Sequence, residues 1–313
     1  MSSGEKTTDL FEEIVDAVEA INGSHPQMRR IHAKGTVCEG SFLPTIEATS
    51  LCKARHFQNP APAIVRFSNA SGNPKTSDAN PLAGRGMAVK FKPPGGEETD
   101  LVSVPLPVFM VRTPEDFLAF TQARIPDPDT GQPDPEVLGA FVTEHPETMR
   151  ALQLGLPAIA PTTSFATSGY NALHAFKLIG SDGEGRWGRY EWHPDAGVEY
   201  LSDEEREAAD RDYLQTEIRE RLAEGAFRFR LDFVLAADGD PLEDPTEPWE
   251  GEREVVTLGQ LEVTGVIEDP ETPEAPLVFD PVRLADGIEP SDDPILHARP
   301  KAYSVSIARR CAV

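Results

Sequence analysis

Two batches of short β-rich runs, cut by Pro/Gly clusters, constrain this chain more than any other feature. The first batch covers 36–46, 63–69, 85–92 and 99–112, with breaks such as Asn59-Pro60-Ala61-Pro62 and Pro93-Pro94-Gly95-Gly96. The second covers 171–180, 186–193, 227–236 and 254–266. Runs bounded by residues that lack a donor or need a free φ favour strands paired with close neighbours over parallel units joined by long crossovers. Helical patterns surround them. Leu10, Phe11, Ile14, Val15, Val18 and Ile21 share one face over 9–22, with Asp9 and Glu12 as a capping pair and Gly23 as the stop. Pro114 opens a helix through Phe117, Leu118 and Phe120; 134–154 reads as another, and 202–224 as a charged one. The expected class is α+β, a large antiparallel sheet or barrel with inserted helices. With 313 residues, 39% of them hydrophobic, and no repeat or clean linker, we read one domain over 1–313. Residues 1–25 form a helix and arm, and 26–313 the sheet with its insertions.

Charge narrows the function. Acids number 53 against 29 Lys+Arg, a net −24, which repels nucleic acid and acidic lipid. No run approaches a membrane span, and Met1 to Asp9 is polar, so a cytoplasmic location is expected. Cys38, Cys52 and Cys311 form no C-x-x-C pattern, in keeping with a reducing compartment. The charge is uneven. Residues 26–92 hold ten Lys/Arg against three acids, while 240–274 hold twelve acids and only Arg253. The end turns basic again at Arg299, Lys301, Arg309 and Arg310. Two distant basic segments can converge on one buried anion, or they can be ordinary surface scatter.

Several motif matches carry no chemistry. Gly183 to Gly188 satisfies G-x-G-x-x-G, but Arg189-Tyr190-Glu191-Trp192-His193 follows as a strand rather than the helix a pyrophosphate needs, so the glycines mark a hairpin turn. Asp127 to Gly131 imitates a calcium loop without its closing Glu. The seven histidines include no chelating helical pair.

One ordered set of motifs does carry chemistry. Arg29-Arg30-Ile31-His32-Ala33-Lys34-Gly35 is followed by Val65-Arg66-Phe67-Ser68 and by Arg85-Gly86-Met87-Ala88-Val89-Lys90-Phe91. Then come Asp100-Leu101-Val102 with Pro107-Val108-Phe109, Asn171 to Lys177 around His174-Ala175-Phe176, and Asp244-Pro245-Thr246 with Trp249. Arg299-Pro300-Lys301-Ala302-Tyr303 closes the set, with Arg310 seven residues beyond the tyrosine. Taken alone, His32 reads as a satisfied core histidine. In this order and spacing the set resembles the haem catalase family over roughly residues 26–310.

The resemblance implies an antiparallel β-barrel with surrounding helices around a buried haem b. Tyr303 is then the axial ligand of the haem iron, bound as phenolate. A phenol ionises near pH ~10, so a cation must help, and Arg299 stands one helical turn away. His32 is the distal general base and then acid, giving a ferryl intermediate and water or alcohol. Ser68 orients its imidazole. Arg29, Arg66 and Arg310 match the haem-propionate ligands, and Phe117 the ring against the porphyrin. Residue by residue, Phe117 can also be plain core, Arg66 a strand-end charge, and Tyr303 a strand tyrosine with a buried hydroxyl; His174 and His193 read as structural.

The chain departs from the family at one informative place. Where catalases have D-L-V-G-N-N-T-P, this sequence has Asp100-Leu101-Val102-Ser103-Val104-Pro105-Leu106-Pro107, which puts Val104 at the distal Asn. Valine donates no hydrogen bond, so orientation of a small peroxide should weaken by about 1–3 kcal/mol. The chain also ends soon after the tyrosine, without the C-terminal helical domain of full-length catalases. Both features resemble the short catalase-related peroxidases. The expected function is haem-dependent reduction of hydrogen peroxide or organic hydroperoxides by a small one-electron donor, with weak catalase activity and a homodimeric assembly. Alternatives are a small authentic catalase, an allene-oxide-synthase-like fatty-acid hydroperoxide dehydratase, or a non-enzymatic haem-storage barrel.

Overall fold

The computed structural model describes residues 9–268 and 277–311. Helix α1 (Leu10–Asn22) is capped by Asp9, whose Oδ1 accepts the Phe11 N–H at 3.1 Å. The chain then forms β1 (Gly35–Pro44), α2 (Ile46–Leu51), α3 (Arg55–Gln58), β2 (Ala61–Asn69), β3 (Arg85–Phe91) and β4 (Thr99–Ser103). Helices α4 (Pro114–Gln122), α5 (Pro135–Glu144) and α6 (Pro146–Ala158) precede β5 (Tyr170–Asn171), β6 (Phe176–Ile179) and β7 (Gly185–Pro194). Helices α7 (Asp203–Ala208) and α8 (Tyr213–Glu224) lead into β8 (Phe227–Leu235), β9 (Val255–Val266), β10 (Ile288–Pro290) and finally α9 (Pro294–Cys311).

The strands make one antiparallel sheet in the order β10-β6-β7-β8-β9-β1-β2-β3-β4, with β5 paired to β7. It returns on itself. Val104 N–H donates to Asn171 O at 3.0 Å and receives the reciprocal bond at 2.6 Å, which ties the end of β4 to β5. Bulges at Glu39/Gly40 and Leu231/Asp232 give the ladder its extra bend. Period-two alternation fills the interior: Phe42, Val65, Phe67, Val89, Phe91, Trp192, Phe229, Leu231, Phe233 and Val263 all lie in one buried cluster. On the outer face of β2, Pro62 is exposed and Ile64 half-buried, but Arg66 and Ser68 are buried where the segment before β1 meets them. That buried end of the outer face carries the site.

The expected elements are corrected where proline or polar turns intervene. The run 99–112 stops as a strand at Ser103, since Pro105 and Pro107 cannot donate to a ladder. The helix expected over 134–154 is two, parted at His145 by Pro146. The strand expected over 171–180 breaks where Leu173 turns to φ +64°, and the helix at 202–224 breaks between Ala208 and Tyr213. Tyr303 lies on helix α9, not on a strand. The glycine motif is the turn between antiparallel β6 and β7, with Gly183 at φ +86°. Of the acidic stretch 240–274, residues 269–274 lie outside the described residues. Among the described residues no helix is long and apolar enough to cross a membrane.

Candidate active site

β2 presents Arg66 and Ser68 on its outer face, and both meet His32. Ser68 Oγ lies 2.9 Å from His32 Nδ1 and 3.4 Å from Gly86 O. If the hydroxyl donates to that carbonyl, its lone pairs accept the Nδ1 proton, and Nε2 is left as a free acceptor. Burial first, then the charges of Arg66, Arg299 and Arg29, push His32 down to about 3. The imidazole is therefore neutral at ordinary pH, as a general base must be. Gly86 on β3 makes room for it: a Cβ there would fall 2.6 Å from His32 Cε1 and 3.0 Å from Ser68 Oγ. Nothing in the sequence pattern but the position of that glycine signalled this.

The other half of the site hangs on α9. Arg299 donates through Nε and Nη2 to Tyr303 Oη at 3.1 and 2.9 Å. Two charge-assisted donors converge on one phenol oxygen and fix its position. Arg299 Nη1 also meets His174 Nε2 at 3.0 Å, and His174 Nδ1 meets Asp293 Oδ2 at 2.6 Å. Because a guanidinium only donates, His174 Nε2 accepts, so its proton sits on Nδ1 and goes to Asp293. Asp293 also caps α9 through the N–H groups of Ile295 and Leu296. His174, read from sequence as structural, is thus the link in a buried Tyr303-Arg299-His174-Asp293 chain. Its place inside the Asn171–Lys177 motif was the available signal, and Asp293 carried none.

Arg29 and Arg310 come together at the Leu277 carbonyl, at 2.8 and 3.5 Å. Arg310 is 4% exposed, and its Nε has no partner among the described residues. A buried guanidinium with an unused donor suits an anion brought by a ligand. Of the residues expected at the site, His32, Ser68, Arg66, Arg29, Arg299 and Tyr303 form one neighbourhood. Phe117 stands apart in this network: its ring stacks on Phe109 at 5.9 Å, in a second apolar cluster that includes Ile295. Among the described residues no group of three or more His, Cys, Asp or Glu can hold a metal ion by itself.

The match to known proteins runs the length of the chain. The family model described as Catalase matches residues 8–313. A catalase-related peroxidase of Mycolicibacterium paratuberculosis is 39% identical over 99% of this chain and 97% of its own. One from Synechococcus elongatus is 34% identical over 96% of this chain and 88% of its own. A bacterial catalase structure superposes with a TM-score of 0.81 at 20% identity, over 99% of this chain and 63% of that one, and shows the shared fold. With the family model and both relatives agreeing over nearly all of its residues, the chain belongs to the catalase family.

Proposed function

We propose that this chain is a haem-dependent peroxidase that reduces hydrogen peroxide and organic hydroperoxides at the expense of a small one-electron donor, with weak catalase turnover. The observation that carries the reading is the pairing of a neutral His32, aimed by Ser68, with a Tyr303 oxygen that takes two bonds from Arg299. The names of the two relatives, catalase-related peroxidase, support it.

The residues fit a haem b. Tyr303 would bind the iron, while Arg29, Arg66 and Arg310 would take the propionates, the unused Arg310 Nε among their donors. When bound, a haem would supply the two electrons that cleave the peroxide O–O bond. His32 Nε2 accepts the proton of the incoming peroxide and returns it to the departing oxygen, which leaves as water or alcohol. Ser68 keeps that nitrogen unprotonated between turnovers. Arg299 fixes the Tyr303 oxygen with two bonds, and His174 with Asp293 fixes the guanidinium. The overall reaction consumes one peroxide and two donor hydrogens and yields two donor radicals with two waters, or with one water and one alcohol where the peroxide is organic.

Val104 favours peroxidase over catalase turnover. Catalase turnover must orient a second peroxide as reductant, and the Val104 side chain offers it no hydrogen bond. The haem-loaded protein should oxidise phenolic donors with hydrogen peroxide and cumene hydroperoxide, and release oxygen only slowly. Oxygen release at the rate of an ordinary catalase would refute the preference. Val104→Asn should raise oxygen release about tenfold, the equivalent of one restored hydrogen bond. A storage barrel would need no distal base, so peroxide-dependent donor oxidation lost in His32→Gln separates the two.

A further inference from the structure

The backbone of His32 is unusual. It sits at φ +58°, in the left-handed region that a residue with a Cβ rarely adopts and holds only when its surroundings impose it. We infer that Arg66 is the residue that imposes it, a positioning residue that grips the distal histidine by its main chain. This inference rests on the peroxidase reading for its functional meaning.

The grip is visible at both ends of the residue. Arg66 Nη2 donates to the His32 carbonyl at 3.0 Å, and the His32 N–H donates to Ala70 O at 3.3 Å. Ser68, two residues along β2 and on the same face, holds the ring through Nδ1 at 2.9 Å. One strand therefore addresses the main chain with one side chain and the imidazole with the next but one. The guanidinium is 3% exposed and occupies space that Gly35 leaves open. A Cβ at Gly35 would lie 2.6 Å from Arg66 Nη2 and 2.7 Å from its Cζ. If His32 relaxed to an extended φ, its Cβ would swing and carry the ring away from Ser68 and from the clearance over Gly86. The charged groups facing His32 are Arg66 from β2, Arg299 from α9 and Arg29 from its own segment.

The substitution Arg66→Lys keeps the charge but not the planar fork, and lysine does not replace arginine at such a site. Two measurements on the full chain decide the matter. Without haem, the 13Cα and 13Cβ shifts of His32, assigned against His32→Gln, should report a left-handed residue in the wild type and in the surface variant Arg228→Lys. In Arg66→Lys they should move to extended values. With saturating haem, the rate of reaction with hydrogen peroxide per bound haem should fall about 10- to 100-fold in Arg66→Lys, the cost of a misplaced base. Arg228→Lys, on an exposed surface pair with Glu262, should leave that rate intact. Left-handed shifts that persist in Arg66→Lys, or an unchanged rate per bound haem, overturn the inference. A wild type that takes up no haem would sink the peroxidase reading, while the shifts still decide the role of Arg66. Should Arg66→Lys not fold, Arg66→Gln is read the same way.

Discussion

His56 is a titratable ring in the aromatic company of the core. It is 1% exposed, its ring lies 4.6 Å from Phe91 and 4.2 Å from Phe57, and neither nitrogen has a partner among the described residues. Burial alone pushes it down to about 3. In the unfolded chain the same ring titrates near 6.5. Between those values the unfolded state holds the extra proton, so stability is full above 6.5 and declines as pH falls towards 3. For this one group the loss from pH 8 to pH 5 is about 2 kcal/mol. His56→Leu should therefore gain about 2 kcal/mol on the wild type between pH 8 and pH 5 in denaturant titrations. A difference that does not change with pH would show that the ring is solvated. Gly86 makes a second residue-scale test, because it matters for what it lacks. The methyl of Gly86→Ala would fall 2.8 Å from His32 Nδ1. The variant should keep its haem and react with peroxide about 100-fold more slowly by stopped-flow; an unchanged rate would mean that the imidazole has room to yield.

At the level of elements, α9 shows what the sequence did and did not make legible. The R-x-x-x-Y spacing already placed Arg299 and Tyr303 on one helical face, yet Pro294 and Pro300 hid the helix itself from a propensity reading. The strands of both batches were legible because their inward positions alternate. Their ends were not: β4 is cut by prolines, and β5 is parted from β6 by a left-handed Leu173. His174 and Asp293 are 119 residues apart, and only the fold puts 2.6 Å between them. Asp293 joins the helix to the site by serving the N-terminus of α9 with one oxygen and His174 with the other. Asp293→Ala should remove the cap and leave the His174 N–H buried without a partner, at a cost of about 2–4 kcal/mol. A loss under 1 kcal/mol in chemical denaturation would mean that α9 is anchored elsewhere. With haem bound, the same variant should shift the Soret band, since His174 loses the partner that fixes its ring against Arg299.

Across the whole molecule most acids lie at the surface, and buried ones such as Asp78 and Asp100 sit beside lysines. The basic stretch 26–92 places Arg30, Arg66, Arg85 and Lys90 in the interior, all under 9% exposed. The rest of the chain, by subtraction from −24, carries about −31 and faces mainly outward. Surface pairs such as Arg228 with Glu262 and Arg186 with Glu254 offset part of that charge, and each is worth little in water. The acids outnumber the cations 53 to 29, so an excess of 24 negative charges remains and repels itself. The repulsion acts through solvent, and salt screens it: the Debye length falls to about 3 Å at 1 M. The interior cations lie where screening hardly reaches. Raising potassium chloride from 0.05 to about 1 M should therefore relieve more repulsion than attraction, and lift Tm by on the order of 5 °C at fixed haem loading. Scanning calorimetry across that series decides it. A Tm that stays level or falls would mean that surface ion pairs, and not self-repulsion, dominate the electrostatics of the exterior.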